Sequence, residues 1–297
     1  MRPIVIAVPG CEDHAERLVP RIDGERGAIE VRRFPDGEVY VRIDAPIAGR
    51  DVVLVCGLDK PGDKILPLLF LAATARDLGA RRVGLVAPYL SFMRQDSRFK
   101  PGEGVTSTYF AQLLSGVVDW LVTVDPHLHR WGSLDAIYKI PSRVAHAAPA
   151  IAAWVRREVE RPLLVGPDAE SAQWVAAVAA LCDAPFVVLE KIRRGDRDVE
   201  VSPPDVAKHA GRTPVLVDDI ISTARTMIAT IAHLAAAGGA APVCVGIHAV
   251  FADRAHDDLL AAGAARIATC NTILHASNAI DVDDAIADEA RVMIAES

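Results

Sequence analysis

The chain writes one supersecondary unit twice. Residues 53–88 read VLVCGLDKPGDKILPLLFLAATARDLGARRVGLVAP, and residues 215–250 read VLVDDIISTARTMIATIAHLAAAGGAAPVCVGIHAV. Each copy starts as a short apolar strand, passes through a loop carrying Asp or Ser/Thr, and continues as a helix-like run of Ala, Leu and Ile. A Gly-Ala pair and a second Val-rich strand follow. Strand, crossover helix and parallel strand make a right-handed βαβ unit. Either copy alone would fit any α/β protein, but a repeat spaced by about half the chain favours two duplicated domains. The expected fold is therefore α/β, with two domains, each a mainly parallel sheet flanked by helices. A boundary is expected near residues 141–150, where IPSRVAHAAP separates DWLVTVDPH from the helix-like AIAAWVRREVE. That gives domains of 1–145 and 146–297.

Composition removes several function classes. The 297 residues are 51% apolar and only 5% aromatic, which suits closely packed strands and helices. A formal net charge of −7 argues against a broad nucleic-acid surface, so anionic ligands need local Arg and Lys clusters. Cysteines 11, 56, 182, 244 and 270 include no CxxC spacing, which speaks against a disulfide framework or zinc site and for a reducing cytoplasm. The start, MRPIVIAVPGC, reads as a first strand, too short for a secretory core. ILPLLFLAATA, between Lys64 and Arg76, falls short of a membrane span, and a soluble protein is expected.

The two copies differ where chemistry is expected. Ligands of open α/β sheets sit at the carboxyl ends of strands. There the first copy has Cys56 and Gly57, whereas the second has Asp218 and Asp219. Two adjacent buried carboxylates cost several kcal/mol or more unless something pairs with them. Ile220, Ile221, Ser222, Thr223, Ala224, Arg225 and Thr226 follow, then an amphipathic helix. Small and hydroxyl residues at a helix start expose backbone N–H groups that hold anions. A lone Ser-Thr pair would more simply be an N-cap. With two carboxylates before it, the balance shifts toward a phosphorylated sugar, whose hydroxyls take the acids and whose phosphate takes the N–H groups.

VLVDDIISTARTM resembles the phosphoribosyl pyrophosphate loop of type I phosphoribosyltransferases. Six further stretches occur in the order RFPDGEVYVRI, PYLSFMRQD, VTVDPH, GPD, LEKIR and TCNTILHASNAIDV. Together they resemble the ribose-phosphate pyrophosphokinase (phosphoribosyl pyrophosphate synthetase) family nearly from end to end. That family is a tandem of two type I phosphoribosyltransferase-like domains, in keeping with the repeat.

The resemblance implies roles residue by residue. Phe34, Asp36 and Glu38 of FPDGE would bind ATP, the aromatic ring near adenine, from a loop that reaches a neighbouring subunit's site. Read alone, Pro-Asp-Gly is only a turn. Arg94 and Gln95 would also bind ATP, Arg offering a planar fork to phosphate. His127 and Asp168 would hold Mg2+. Zinc on Asp125, His127 and His129 is disfavoured, because Pro126 interrupts the strand, and His129 is expected to be structural. Lys191 and Arg193 would supply the mobile cations that phosphoryl transfer needs, although a charge run is usually a solvated face. Arg193, Asp218, Asp219, Ser222, Thr223, Ala224, Arg225 and Thr226 would bind ribose 5-phosphate. Two departures stand out: Glu170, whose bulk could crowd the sugar site, and Arg225, where glycine is common and a turn could need positive φ.

The activity implied is diphosphoryl transfer from ATP to the 1-hydroxyl of ribose 5-phosphate, giving phosphoribosyl pyrophosphate and AMP for nucleotide biosynthesis. The first domain would serve mainly ATP and the second ribose 5-phosphate. The expected protein is a cytoplasmic homo-oligomer, dimer or hexamer, with Mg2+ as cofactor and without nucleic-acid or membrane partners. Two other readings are a phosphoribosyltransferase that consumes phosphoribosyl pyrophosphate and a catalytically silent, regulatory homologue. Effectors and nucleotide range are not legible in the sequence.

Overall fold

Two runs of buried aliphatics, IVIA and DVVLV, set the centre of the first half, because strands covered on both faces must be apolar throughout. A computed structural model describes residues 1–189, 191–194, 198–201 and 206–296, with the backbone alone at 170, 191–194, 198–201, 206 and 207. It forms two compact units, Met1–His146 with Asp283–Ser297, and Ala147–Val282.

The first unit contains β1 (Ile4–Ala7), α1 (Glu12–Arg21), β2 (Glu25–Arg26), β3 (Ala28–Arg33), β4 (Val39–Asp44) and β5 (Asp51–Val55). It continues through α2 (Pro61–Asp77), β6 (Arg82–Ala87), α3 (Thr106–Ser115), β7 (Trp120–Val124) and β8 (Ser142–Ala145). Six parallel strands lie in the order β2-β1-β5-β6-β7-β8, and β3 and β4 form a separate antiparallel hairpin. Ile6, Leu54, Leu71, Leu85 and Leu121 fill the core. Gly84 on β6 is paired with Trp120 on β7, and a Cβ there would stand 2.0 Å from the indole. Only glycine admits that ring.

The second unit repeats the plan. α4 (Ala148–Glu158) precedes β9 (Pro162–Gly166), α5 (Ala172–Cys182), β10 (Phe186–Val188), β11 (Lys191–Arg194), β12 (Asp198–Val201) and β13 (Thr213–Ile220). Then come α6 (Arg225–Ala236), β14 (Val243–His248), α7 (Ala255–Ala261), β15 (Arg266–Cys270) and β16 (Asn278–Ile280). The sheet order is β10-β9-β13-β14-β15-β16, all parallel, with β11 and β12 again an antiparallel hairpin. Strand for strand this is the first unit's topology. The repeat detected at 53–88 and 215–250 is β5-α2-β6 and β13-α6-β14.

The last helix, α8 (Asp283–Ala295), groups with the first unit, whereas a division at 145/146 assigns it to the second domain. It packs on α1, β7 and β8. Asp283, almost fully buried, meets Arg17 and His14, and Arg143 pairs with Glu289. Arg82 donates to the terminal carbonyls of Met293, Ile294 and Glu296 at 3.3, 2.8 and 3.0 Å, satisfying acceptors that a helix end leaves open. In the second unit α4 takes the corresponding place against α5 and β16. Each half of the sequence therefore ends in a helix that belongs to the other unit.

Candidate active site

β13 begins as Val215, Leu216 and Val217, buried between β9 and β14, and this burial continues into its acidic end. Asp219 is 5% exposed and Asp218 half-buried. Burial first, then the charges of Asp219 and Asp168, push the Asp218 carboxyl well above the usual carboxylate range. The two side chains fold back on their own backbone: Asp219 N donates to Asp218 Oδ1 (3.1 Å), and Ile220 N to Asp219 Oδ1 (2.8 Å).

The loop that follows is held from below. Ile221 N donates to His248 O (3.1 Å), while Phe251 N and Ala252 N donate to Ile221 O and Ser222 O (2.8 and 3.1 Å). The buried Ile221 side chain lies over Gly246 of β14, where a Cβ would come within 2.6 Å of it. Ser222 is half-buried, and Thr223 and Arg225 are exposed. Ala224 is the N-cap of α6, at φ +57°, and gives the helix no side-chain cap. The plain N-cap reading of Ser222 or Thr223 therefore does not hold. Left-handed backbone falls on Ala224, while Arg225 is the first helical residue, so the strain feared at Arg225 is absent there. A non-glycine residue held left-handed is costly and marks a constrained turn.

Asp168 follows the end of β9, the strand beside β13. Its carboxylate accepts from Ser171 N (3.2 Å), and Ser171 Oγ donates to its carbonyl (2.7 Å), closing the 3-10 turn Ala169–Ser171. A Cβ at Gly166 would meet Ser171 Oγ at 2.7 Å, so that glycine allows the tight closure. Asp168, Asp218 and the 222–226 loop thus share the carboxyl edge of one sheet. Lys191 and Arg193 lie on β11, paired in register with Val201 and Val199; their side chains, and that of Glu170, fall outside the described residues.

In the first unit, Phe34, Asp36 and Glu38 form the β3–β4 turn. Phe34 N donates to Glu38 O (2.8 Å), Gly37 N to Phe34 O (2.9 Å), and Glu38 N to Asp36 Oδ1 (3.1 Å). Gly37, at φ +95°, supplies the left-handed residue of the turn. Asp36 thus shapes the turn, and Phe34 stays 39% exposed at its tip. Arg32, missed in the sequence, stacks its guanidinium 4.6 Å from the Phe34 ring and 4.1 Å from that of Tyr40. Alternate spacing in RRFPDGEVY was the available signal, since Arg32 and Tyr40 are cross-strand partners.

Arg94 is exposed beyond β6. Gln95 accepts from Thr106 Oγ1 (3.1 Å) and, through its carbonyl, from Ser107 N (3.3 Å), which anchors the segment to the start of α3. His127 follows β7 with its ring centroid 3.8 Å from that of His129. The buried Asp125, at φ +27°, accepts from His146 Nδ1 (2.8 Å). That bond outweighs desolvation and raises the His146 pKa. This pair was not visible as sequence spacing. It arises because the parallel partners Val124 and Ala145 end side by side.

Comparison with known proteins places this geometry. Residues 4–117 match the N-terminal domain of ribose phosphate pyrophosphokinase, and residues 133–285 match the phosphoribosyl transferase domain. Ribose-phosphate pyrophosphokinase of Methanopyrus kandleri is 32% identical over 96% of this chain and 97% of its own. That of Saccharolobus solfataricus is 33% identical over 82% and 84%. The crystal structure of phosphoribosylpyrophosphate synthetase from Mycobacterium smegmatis superposes with a TM-score of 0.88 over the full length of both chains, at 21% identity, a likeness of fold.

Proposed function

The chain belongs to the ribose-phosphate pyrophosphokinase family, and we propose that it transfers the diphosphoryl group of ATP to the 1-hydroxyl of ribose 5-phosphate, releasing AMP. The observation that carries this reading is the acidic end of β13 running into the start of α6. Asp218 and Asp219 offer carboxylate acceptors for the ribose hydroxyls. The backbone from Ser222 to Thr226, at the positive end of the α6 dipole, suits the 5-phosphate. Charge that would otherwise raise the cost of burial is thereby turned toward ligand.

ATP is assigned mainly to the first unit. Phe34 offers an exposed ring for the base, Arg94 a fork for phosphate oxygens, and Gln95 an amide already fixed by Thr106. Lys191 and Arg193 are proposed to follow the charge as it moves from the triphosphate to the leaving AMP, stabilising the transition state more than the ground state. The conserved geometry of transfer needs these groups oriented, not covalent participation by the protein.

Mg2+ fits the donor set. Asp168 stands close enough to raise the Asp218 pKa, and hard carboxylate oxygens around shared negative charge suit a divalent cation. Asp168 and His127 are the proposed protein contacts. When bound, the ion supplies screening of the triphosphate charge. A homo-oligomer is proposed as well, in which the Phe34 turn completes a neighbour's nucleotide site. Among the described residues, no helix is long and apolar enough to cross a membrane; a cytoplasmic location belongs to the proposal.

The deciding experiment follows AMP and phosphoribosyl pyrophosphate from ATP and ribose 5-phosphate with Mg2+. Equal formation of both products supports the reading. Consumption of phosphoribosyl pyrophosphate with a free base, without AMP formation from ATP, identifies a phosphoribosyltransferase. Binding without turnover identifies a silent homologue.

A further inference from the structure

We propose that Cys11 and Cys56 form a reversible thiol–disulfide site at the carboxyl edge of the first unit's sheet. The two residues are far apart in sequence, but β1 and β5 are neighbours, with Ala7 opposite Val55. Cys56 directly follows β5, and a turn closed by Cys11 N to Val8 O (3.0 Å) brings Cys11 back over the same edge. Gly57 N donates to Cys11 Sγ at 3.2 Å, and the two thiols are hydrogen-bonded to each other. Both are free and buried. The place is the first unit's counterpart of the Asp218 strand end, so a polar pair at this edge is kept in both units with different chemistry.

The pair is electronically unequal. Cys11 is the N-cap of α1, where the helix dipole favours a thiolate. The Cys56 hydrogen bond, the charge of Lys64, the Gly57 N–H and His14 outweigh desolvation and bring its pKa down to about 7. Lys64 is fixed by bonds to Gly57 O (2.7 Å) and Asp59 Oδ1 (2.6 Å). Cys56 is pushed the other way, by its bond to Cys11 and by burial. Cys11 thus has the character of an attacking thiolate and Cys56 that of a protonated resolving thiol. In the second unit, desolvation raises Cys182 and takes Cys244 up to about 12, so neither shares this character.

With hydrogen peroxide as oxidant, the Cys11 sulfur attacks one peroxide oxygen, the O–O bond breaks, and sulfenic acid and water form. The Cys56 thiol then attacks that sulfur, the S–OH bond breaks, and a second water leaves as the disulfide closes. Two thiols lose two electrons and two protons, and one peroxide becomes two waters. A dithiol reductant restores both thiols. Because both sulfurs are buried, reaction waits on opening of the turn before α1 and proceeds more slowly than at an exposed thiol.

The test exposes the full-length protein to graded hydrogen peroxide, then unfolds it in iodoacetamide and maps peptides by mass. The expected result is loss of two hydrogens, a cross-linked peptide pair containing Cys11 and Cys56, unmodified Cys244, and full reversal by dithiothreitol. Cys56→Ser should leave a dimedone-reactive sulfenic acid at Cys11, and Cys11→Ser should abolish both products. The wild-type mapping stands even if a variant folds poorly. The proposal is overturned if Cys11 and Cys56 remain alkylatable at peroxide doses that oxidise Cys182, or if Cys11 advances to sulfinic acid without the cross-link.

Discussion

β5 and β13 start with the same three residues, Val-Leu-Val, and occupy the same place in their sheets, yet they end differently. α2 begins at Pro61, five residues after Cys56, whereas α6 begins at Arg225, seven after Asp218. Both helices have a left-handed N-cap, Lys60 and Ala224, and neither cap bonds through its side chain. The shared features are those that a βαβ crossover needs. The two extra residues and the acid pair are those that a sugar phosphate needs. Sheet packing therefore preserves the frame in both units, and ligand chemistry is confined to the strand ends.

The hairpins extend the contrast. β3–β4 presents an exposed aromatic, and β11–β12 carries Lys191 and Arg193 in the equivalent insertion. If they divide binding and chemistry between them, Lys191→Ala should show the largest effect, a fall in kcat of roughly a hundredfold or more, as for other transition-state charge donors. Steady-state kinetics would break the contrast if KM for ATP rose while kcat stayed at the wild-type value.

Next in size is the strand end. Asp218→Asn or Asp219→Asn should weaken use of ribose 5-phosphate about ten- to a hundredfold, the cost of a hydrogen bond to a charged group, while Mg-ATP binding changes little. Titration calorimetry with each substrate distinguishes the halves; collapse of ATP affinity alone would reverse their assignment. The Asp218 carboxyl is raised, so the ligand-free protein loses stability as pH rises through its folded pKa. Asp218→Asn removes that penalty and should raise the apo melting temperature even as sugar affinity falls. A lower melting temperature would mean that the charge is already compensated.

Much of this was legible because periodicity and turn chemistry are local. The βαβ repeat, the acidic strand end and the FPDGE turn could all be read from neighbouring residues. What escaped depends on contacts across the sheet. Asp125 meets His146 only because β7 and β8 are adjacent, and Cys11 meets Cys56 only because β1 and β5 are. α8 was assigned to the second domain because chain order suggested it, whereas its acids face Arg17, Arg21 and Arg143 of the first unit. Left-handed backbone was expected near Arg225 and sits one residue earlier, at Ala224, because helix geometry starts at the arginine.

The exchange of α4 and α8 between units yields a smaller effect, on stability. Burial would raise the Asp283 pKa, but His14 and Arg17 overcome it and hold the carboxyl below its usual range. Its contribution is therefore present above the unfolded-state pKa and is lost as pH falls through the lower folded value. Asp283→Asn should destabilise the protein by about 1–3 kcal/mol near neutral pH, judged from hydrogen bonds to charged groups. Asp284→Asn should cost no more than about 1 kcal/mol, because its bond to Arg21 is exposed. Chemical denaturation at neutral and acidic pH would test both; a Asp283→Asn deficit that persisted in strong acid would implicate packing instead of charge.

The smallest effect expected on catalysis belongs to Arg32, and it tests how the first hairpin holds its aromatic. The guanidinium lies against both Phe34 and Tyr40, whose rings meet edge-on with centroids 6.2 Å apart. Arg32 does not have to touch nucleotide to matter. By stacking, it limits the positions open to Phe34, and a ring already placed loses less freedom when a base arrives. An exposed cation–π contact is worth about 0.5–1 kcal/mol, so Arg32→Ala should raise KM for ATP by only about two- to fivefold. kcat and KM for ribose 5-phosphate should stay within experimental scatter, and Arg32→Lys should recover part of the loss because an ammonium still stacks, though less broadly. Phe34→Ala should abolish the dependence on residue 32. If Arg32→Ala and Phe34→Ala instead added in full, the arginine would act on ATP through a route other than the ring, and the hairpin tip would not be the preorganised element that its geometry indicates.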